Sequence, residues 1–559
     1  MQLVPAPPRT RRAQRPKLTL TQRIEKVLTL SGWRGRGIDF TAGAIAVLGL
    51  APFYVWIIAL LAFGVLALRL DRRAQAEVNA AKLCRSSGFW FGMGYFVFGI
   101  FWIGSAFIAR GPEYVPLMVP MVLGLCFVLS LFWMLAGHVY AKLRPNGLWA
   151  PFIFASLLSM AEIARGHVLT GFPWNLPGYV FKAGGAVSQS ASLIGIYGLT
   201  FLTLLLSGLI AHSLSSRDKG AEKPAGLAVL VLLFSLFGFG FARLQLAKPL
   251  EFHKGVNLRI VQIPFDQSDK FDPKKSIDIV NQYLTQTAEP GLEDVTHLVW
   301  PEGAVNGLAL ENEPLIRAVS ELFLSFDNSP PIWMTQSLRS ETRPNLKGEI
   351  VEDYYNTSAA ISFAPDGSAA IETLNDKSLL VPFGEYIPFG KWVENRGVSP
   401  LSTAMASISP APKKLLASFP GLPRVSPQIC YEIIFSAMTP RPRTSEPAQW
   451  ILNQSNDGWY GKSSGPRQHA NQAAYRAIEE GLPIVRSAGN GISGVIDPYG
   501  RWYVRAEPDA RMALDTQLPK PISRPLFFGN HIWFLFLINF ASCLVYTLRW
   551  GRLHGAGSL

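Results

Sequence analysis

Long apolar runs fill roughly the first 250 positions of the chain and return once near its end, while the stretch between them alternates like an ordinary globular domain. The first run, Ile38 to Leu70, is too long for a signal-peptide core and too long for one straight span. Ala51-Pro52 interrupts its middle, where proline breaks a helix, so the run predicts two short helices in a hairpin. Further spans are predicted at about 86–108, 115–136, 148–165, 188–213 and 225–246, and a last one at about 526–548, making eight. The pattern divides the chain into a flexible basic arm (1–36), a seven-helix membrane region (37–248), a globular domain (249–522) and a C-terminal span with a short tail (523–559).

Composition agrees: 49% apolar and only 16% charged residues do not describe a soluble multidomain enzyme. The net charge of +13 is concentrated at the ends of apolar runs and not in a basic stripe interleaved with aromatics, which excludes a nucleic-acid partner. Arg69, Arg72, Arg73, Lys82 and Arg85, then Lys142 and Arg144, then Arg217, Lys219 and Lys223, and finally Arg549 and Arg552 all fall on the side of the N-terminal arm. Cationic loops stay inside, so both termini are predicted to be cytoplasmic and the globular domain to lie outside.

Within that domain, β-rich runs at 257–263, 297–300, 332–335, 357–363, 425–429, 450–452, 484–487 and 494–496 alternate with helices at about 273–288, 312–325 and 466–480, an α/β pattern. Residues 388–424 lack any clean period and carry Trp392, Leu401, Met405, Leu415, Leu416 and Phe419, as a lid in contact with lipid would.

Three segments offer chemistry. His297-Leu-Val-Trp-Pro-Glu302 is a strand with a carboxylate just past its end; Asp376-Lys377 precedes Val381-Pro-Phe-Gly-Glu385-Tyr; and Pro427-Gln-Ile-Cys430-Tyr431-Glu432 launches a thiol from another strand end. Cys84, Cys126 and Cys543 lie in or beside apolar runs, which leaves Cys430 without a disulfide partner in the globular domain. A thiol carries an acyl group only as thiolate, so a base must take its proton, and the resulting oxyanion needs donors already in place. Glu302 as base, Cys430 as nucleophile, and Lys377 with the N–H of Tyr431 as oxyanion donors meet these needs. No His/Cys cluster has zinc-ligand spacing, so neither metal nor cofactor is expected.

The order Glu302, Lys377, Cys430, with Trp300-Pro-Glu302 and Cys430-Tyr-Glu432, resembles the nitrilase (carbon–nitrogen hydrolase) superfamily. Over nearly its full length the chain is similar to a membrane-bound branch of it, the apolipoprotein N-acyltransferase family. Leu50-Ala-Pro-Phe53, Gly88-Phe-Trp-Phe-Gly92, Thr170-Gly-Phe-Pro-Trp174-Asn and Gly195-Ile-Tyr-Gly198 carry the likeness in the membrane region. Leu380-Val-Pro-Phe-Gly-Glu385-Tyr and Asn456-Asp-Gly-Trp-Tyr-Gly461 carry it in the globular domain. The resemblance implies a four-layer α-β-β-α sandwich outside a bacterial inner membrane, on its periplasmic side. It implies a phospholipid acyl donor, a diacylglyceryl-modified apolipoprotein as acceptor, and an acylated Cys430. Glu385 is then expected to orient Lys377 or assist proton transfer, and Tyr431 and Glu432 to shape the acyl pocket. Phe271, where relatives often carry Trp, and Asn375, where Tyr is common, depart from the pattern.

Two other readings stay open at this stage: a membrane-tethered amidase that uses water as acceptor, and a sensor or transporter whose nitrilase-like domain only binds. Glu162, Arg165 and His167, near the outer end of a span, are candidates for substrate access or for simple pairing.

Overall fold

A computed structural model describes residues 19–215, 220–324, 329–344, 350–386, 408–527 and 531–555. Residues 20–29, expected as part of a flexible arm, form a helix, α1 (Leu20–Thr29), closed at its start by reciprocal hydrogen bonds between Thr19 and Gln22. The apolar runs become α2 (Gly32–Ala46), α3 (Trp56–Ala74), α4 (Ala80–Ile100), a short α5 (Ser105–Arg110), α6 (Val115–Leu143), α7 (Trp149–Arg165), α8 (Ala191–Ser215) and α9 (Glu222–Gln245). The hairpin around Pro52 is present, with α2 ending at Ala46 and α3 starting at Trp56. Among the described residues, five helical stretches are long and apolar enough to cross a membrane on length and composition alone. α2 and α7 have only 15 and 17 residues, and the last turns of α3 carry Arg69, Asp71, Arg72 and Arg73.

Small residues let these helices touch at the backbone. A Cβ on Gly43 of α2 would meet the Phe91 carbonyl of α4 at 2.0 Å, and one on Gly94 of α4 would meet the Phe40 carbonyl of α2 at 1.9 Å. Charges inside the bundle are paired: Asp39 holds both Arg69 and Arg73, and Arg69 also donates to the carbonyls of Val27, Leu28 and Leu30, tying down the end of α1. Large apolar side chains of α6 and α9, among them Val119, Leu230 and Phe234, remain exposed, as lipid-facing surfaces do.

The globular domain begins with β1 (Phe252–Gln262), α10 (Pro273–Thr287), β2 (His297–Val299), α11 (Glu313–Glu321), β3 (Ile332–Pro344), β4 (Ile350–Phe363) and β5 (Ala369–Asp376). It continues with β6 (Val425–Ile429), β7 (Trp450–Asn456), α12 (Gly465–Glu480), β8 (Ile484–Gly489), β9 (Gly494–Ile496), β10 (Trp502–Arg505) and β11 (Met512–Pro519), before α13 (His531–Gly555) closes the chain. The strands form two sheets, β11-β1-β2-β3-β4-β5 and β10-β9-β8-β7-β6, with β1, β2 and β3 parallel to one another and β6, β7 and β8 likewise. Leu258, Ile260, Val299 and Met334 of the first sheet pack against Val425, Trp450, Leu452 and Val485 of the second. α10 and α11 cover the outer face of the first sheet, and α12 that of the second, giving the α-β-β-α sandwich.

α12 is buried on all sides except at Arg467, because its outer face meets the membrane region. Tyr475 Oη donates to the Phe181 carbonyl at 2.7 Å, and the Ile196 N–H donates to Glu479 at 2.7 Å. Of the expected lid, Trp392, Leu401 and Met405 lie outside the described residues. Phe419, expected to face lipid, is instead buried between the sheets, 2% exposed, while Leu415 is exposed.

Candidate active site

Parallel strands end on one edge of a sheet, and here three ends deliver chemistry to one place. Glu302 follows β2 after Trp300-Pro301, Lys377 directly follows β5, and Cys430 directly follows β6. Cys430 adopts φ +48°, a left-handed conformation that a β-carbon disfavours and that surrounding structure must hold. That hold comes from Glu432, which accepts from the Ile429 N–H at 2.9 Å, the Ser378 N–H at 2.8 Å and the Lys414 ammonium at 2.6 Å. Burial opposes ionisation of Glu432, but Lys414 and these N–H donors outweigh it and keep the carboxyl below its ordinary range. Glu432 thus straps the turn at Cys430 to the segment after Lys377. Tyr431 points to the membrane region and donates to the Gly171 carbonyl at 2.9 Å.

Lys377 is 1% exposed and sits between two carboxylates, 2.8 Å from Glu385 Oε1 and 3.9 Å from Glu302 Oε1. Burial alone would lower its proton affinity, yet Glu385 and Glu302 together raise it well above the ordinary lysine value, so it is an ammonium at any working pH. Glu385 is fixed by the Val381 N–H at 2.8 Å. Glu302 accepts from Asn356 Nδ2 at 2.9 Å and from the Asn456 N–H at 3.1 Å. Burial pushes the Cys430 thiol up to about 12, helped by the Glu302 charge and opposed by Lys377. A thiol so placed ionises only as its proton passes to a neighbouring base.

Beneath Cys430, His469 on α12 reaches the Cys430 carbonyl at 3.2 Å and Asp457 at 2.9 Å, and Asp457 pairs with Arg486 at 2.7 Å. Beside it stands an aromatic wall. Tyr460 lies against the Cys430 thiol and 4.7 Å from Trp102 between ring centroids, and Trp102 is 4.7 Å from Trp174. Both tryptophans come from the membrane region and donate to Gln468 of α12, at 3.1 and 2.8 Å.

The profile of the "Apolipoprotein N-acyltransferase N-terminal domain" matches residues 42–209, and that of "Carbon-nitrogen hydrolase" matches residues 257–519. Apolipoprotein N-acyltransferase of Rhodopseudomonas palustris is 34% identical over 512 residues, covering 89% of this chain and 91% of that one. The enzyme of the same name from Bradyrhizobium diazoefficiens is 34% identical over 503 residues (89% and 91%), and that from Caulobacter vibrioides 35% over 507 residues (87% and 89%). The chain belongs to the apolipoprotein N-acyltransferase family.

In this family member the two matched stretches coincide with two structural parts, α2 to α8 and β1 to β11. The structure brings Glu302, Lys377, Glu385 and Cys430 together, with Glu432 and Tyr431 behind Cys430. Glu162 and Arg165, one of the open questions of the sequence, are fully buried and paired to each other. Trp133 donates to Glu162 at 2.7 Å, and Arg165 donates to the carbonyls of Phe172 and Trp174. They hold the loop that meets Tyr431 and do not line a solvated path. Phe271 is exposed, 6.3 Å from Trp459, and Asn375 donates to the Leu415 carbonyl at 3.3 Å.

Sequence reasoning missed Asn356, which donates to Glu302 and, at 3.3 Å, to Glu385, while its carbonyl accepts the Lys377 N–H at 2.8 Å. One asparagine in the middle of β4 sets the spacing of all three charged groups, and no turn or motif announces it. It also missed His469; only the Asn456–Gly461 motif gave a signal for that neighbourhood, through Asp457 and Tyr460.

Proposed function

We propose that the chain moves a fatty acyl group from phospholipid, through a thioester on Cys430, to the α-amine of the diacylglyceryl-modified N-terminal cysteine of apolipoproteins. The observation that carries this reading is the joining of one nucleophile, one base and one buried ammonium beside an aromatic wall contributed by the membrane region. The basic arm (1–36), membrane region (37–248), catalytic domain (249–522) and terminal span (523–559) are its parts, in a bacterial inner membrane. Both termini are cytoplasmic and the catalytic domain periplasmic, supported by the cationic loops Arg72–Arg85 and Lys142–Arg144 on the opposite side from it.

In the first half-reaction Glu302 accepts the Cys430 proton as sulfur attacks the donor ester carbonyl. Lys377 and the Tyr431 N–H stabilise the oxyanion. Collapse expels the lysophospholipid oxygen, which takes the proton back from Glu302 and leaves an acyl thioester. The acceptor amine then attacks that carbonyl, Glu302 takes the nitrogen's proton, and Cys430 leaves as thiolate to be reprotonated by Glu302. Glu385 keeps the Lys377 ammonium aimed. Both substrates are lipids that stay in the bilayer, which suits a catalytic domain seated on membrane helices.

The test is the fate of the acyl group. Protein with labelled phospholipid and a diacylated lipopeptide bearing a free α-amine should yield labelled amide, and an N-acetylated lipopeptide should yield none. Release as free fatty acid at the same rate with or without acceptor would replace this reading with the water-using amidase. For sidedness, an impermeant thiol reagent applied from the periplasm should label Lys462→Cys and not Glu77→Cys; the native cysteines, all buried, give little background.

A further inference from the structure

The peptide that joins Cys430 to Tyr431 carries the N–H assigned to the oxyanion, and its carbonyl end is held from below. That peptide is trans, so its carbonyl and its N–H point in opposite directions. His469 Nε2, on α12, lies 3.2 Å from the carbonyl, which turns the Tyr431 N–H away from His469. The N–H stands at the start of the short turn Cys430–Ile434, where a helical turn supplies no partner of its own. Glu432 takes the Ile429 N–H at 2.9 Å, so the strained φ of +48° at Cys430 is gripped on both flanks.

Which ring nitrogen bears hydrogen decides what His469 does. Burial, and then the Arg486 charge, lower its proton affinity, so the fully buried ring is neutral and has a single N–H. Nδ1 stands 2.9 Å from Asp457 Oδ1 and 3.2 Å from Arg486 Nη2. Arg486 is fixed in place as a donor: Nη2 gives to Asp457 Oδ2 at 2.7 Å, Nε to the Ile492 carbonyl at 3.1 Å, and Nη1 to Asn453. Asp457 Oδ1 already accepts from the Ser455 hydroxyl at 2.7 Å. With hydrogen on Nε2, the ring donates to the Cys430 carbonyl and accepts from Arg486, and only its approach to Asp457 is unfavourable. With hydrogen on Nδ1, it satisfies Asp457 alone, while two acceptors face each other at Nε2 and two donors at Nδ1. The first arrangement wins.

We propose that His469 is a positioning residue that aims and polarises the Tyr431 N–H, by donating from Nε2 to the carbonyl of the same peptide. This rests on Cys430 being the acyl carrier. Electron density drawn toward the carbonyl oxygen leaves the N–H more positive, and that gain is largest when negative charge develops on the substrate oxygen. The effect therefore falls on the transition state more than on bound donor. Next in sequence, Gln468 accepts from Trp102 and Trp174, so the helix that carries His469 is seated on the aromatic wall of the membrane region.

Gln and Asn separate the two ring nitrogens, since a Gln amide reaches the place of Nε2 and an Asn amide that of Nδ1. Full-length native protein, His469→Gln and His469→Asn are given phospholipid carrying ¹³C at the acyl carbonyl, without acceptor. First-turnover acylation and the infrared stretch of the resulting thioester carbonyl are then measured. His469→Gln should stay within about threefold of native, and His469→Asn should be slower by about tenfold at saturating donor, with the half-saturating donor concentration unchanged. The thioester stretch should move to higher frequency in His469→Asn alone, because its carbonyl accepts a weaker hydrogen bond. Native rate and frequency in His469→Asn would overturn the role, and so would a slower rate with no change of frequency. A loss in His469→Gln and not in His469→Asn would place the hydrogen on Nδ1 and overturn it too. Acyl label persisting in Cys430→Ala would overturn the mechanism beneath it, whereas label confined to Cys430 with identical behaviour of all three proteins would overturn His469 alone.

Discussion

The buried charges of the membrane region and those of the globular domain obey different accounting. In α7, Glu162 meets one arginine and one indole N–H, and Arg165 meets that carboxylate and two backbone carbonyls, so each group is satisfied. Asp39 with Arg69 and Arg73 is similar, Arg69 giving its remaining donors to backbone carbonyls and Arg73 giving its own to the Leu30 carbonyl and the Ser87 hydroxyl, with only Arg73 Nε left over. At the strand ends of the globular domain, by contrast, Glu302 and Glu385 share Lys377, the nearer carboxylate taking it at 2.8 Å and the farther standing at 3.9 Å. The farther one, Glu302, is the base we propose. A saturated pair positions backbone; an unequal cluster keeps proton-accepting capacity beside a thiol that burial holds protonated.

If this contrast is right, substitutions in the two regions fail in different ways. The largest effect is expected at Lys377→Met, where loss of an oxyanion donor should cost about 10²–10³ in acylation rate. Two carboxylates then face each other, so thermal stability should fall too. Adding Glu385→Gln should recover the stability without the rate, and recovery of rate would mean that the ammonium serves only to offset Glu385.

Glu302→Gln keeps size and can still accept from one of Asn356 and the Asn456 N–H, but it cannot take a proton; a loss of at least about a hundredfold is expected, with only a small fall in melting temperature from the one hydrogen bond lost. Near-normal turnover would pass the base role to Glu385. Arg165→Met should behave oppositely. Leaving Glu162 buried without its partner should cost about 3–5 kcal/mol of stability, whereas the rate per folded molecule should fall by less than about tenfold because neither group touches reacting atoms. A hundredfold rate loss in well-folded Arg165→Met would erase the distinction between the regions. Smallest of all, Tyr431→Phe removes one hydrogen bond to Gly171, worth about 1 kcal/mol, and should lower turnover only several-fold.

Parts of this were legible beforehand for plain reasons. β6 and β9 were read with their bounds intact because both are continuously buried runs closed by abrupt changes of residue type. β5, β10 and β11 were missed: β5 and β10 are edge strands with largely exposed faces, and β11 is defined by pairing with β1 from the far end of the domain. The eight apolar runs were visible, but the α1 helix was not, although Thr19 and Gln22 stand at capping-box spacing. Glu302, Lys377 and Cys430 were found because they lie at strand ends in recognisable runs. Asn356 lies mid-strand, 54 residues from the glutamate it holds. Contacts of that kind exist only after the sheets have formed.

The proposed transfer depends on a covalent intermediate at Cys430. Purified protein incubated with phospholipid and no acceptor should, by intact-mass analysis, gain one acyl chain, which neutral hydroxylamine removes because thioesters yield to that nucleophile and amides do not. Cys430→Ala should gain none, and proteins lacking Cys84, Cys126 or Cys543 should gain it normally. An acyl adduct on Cys430→Ala, or one that resists hydroxylamine, would contradict the assignment of Cys430 as the acyl carrier.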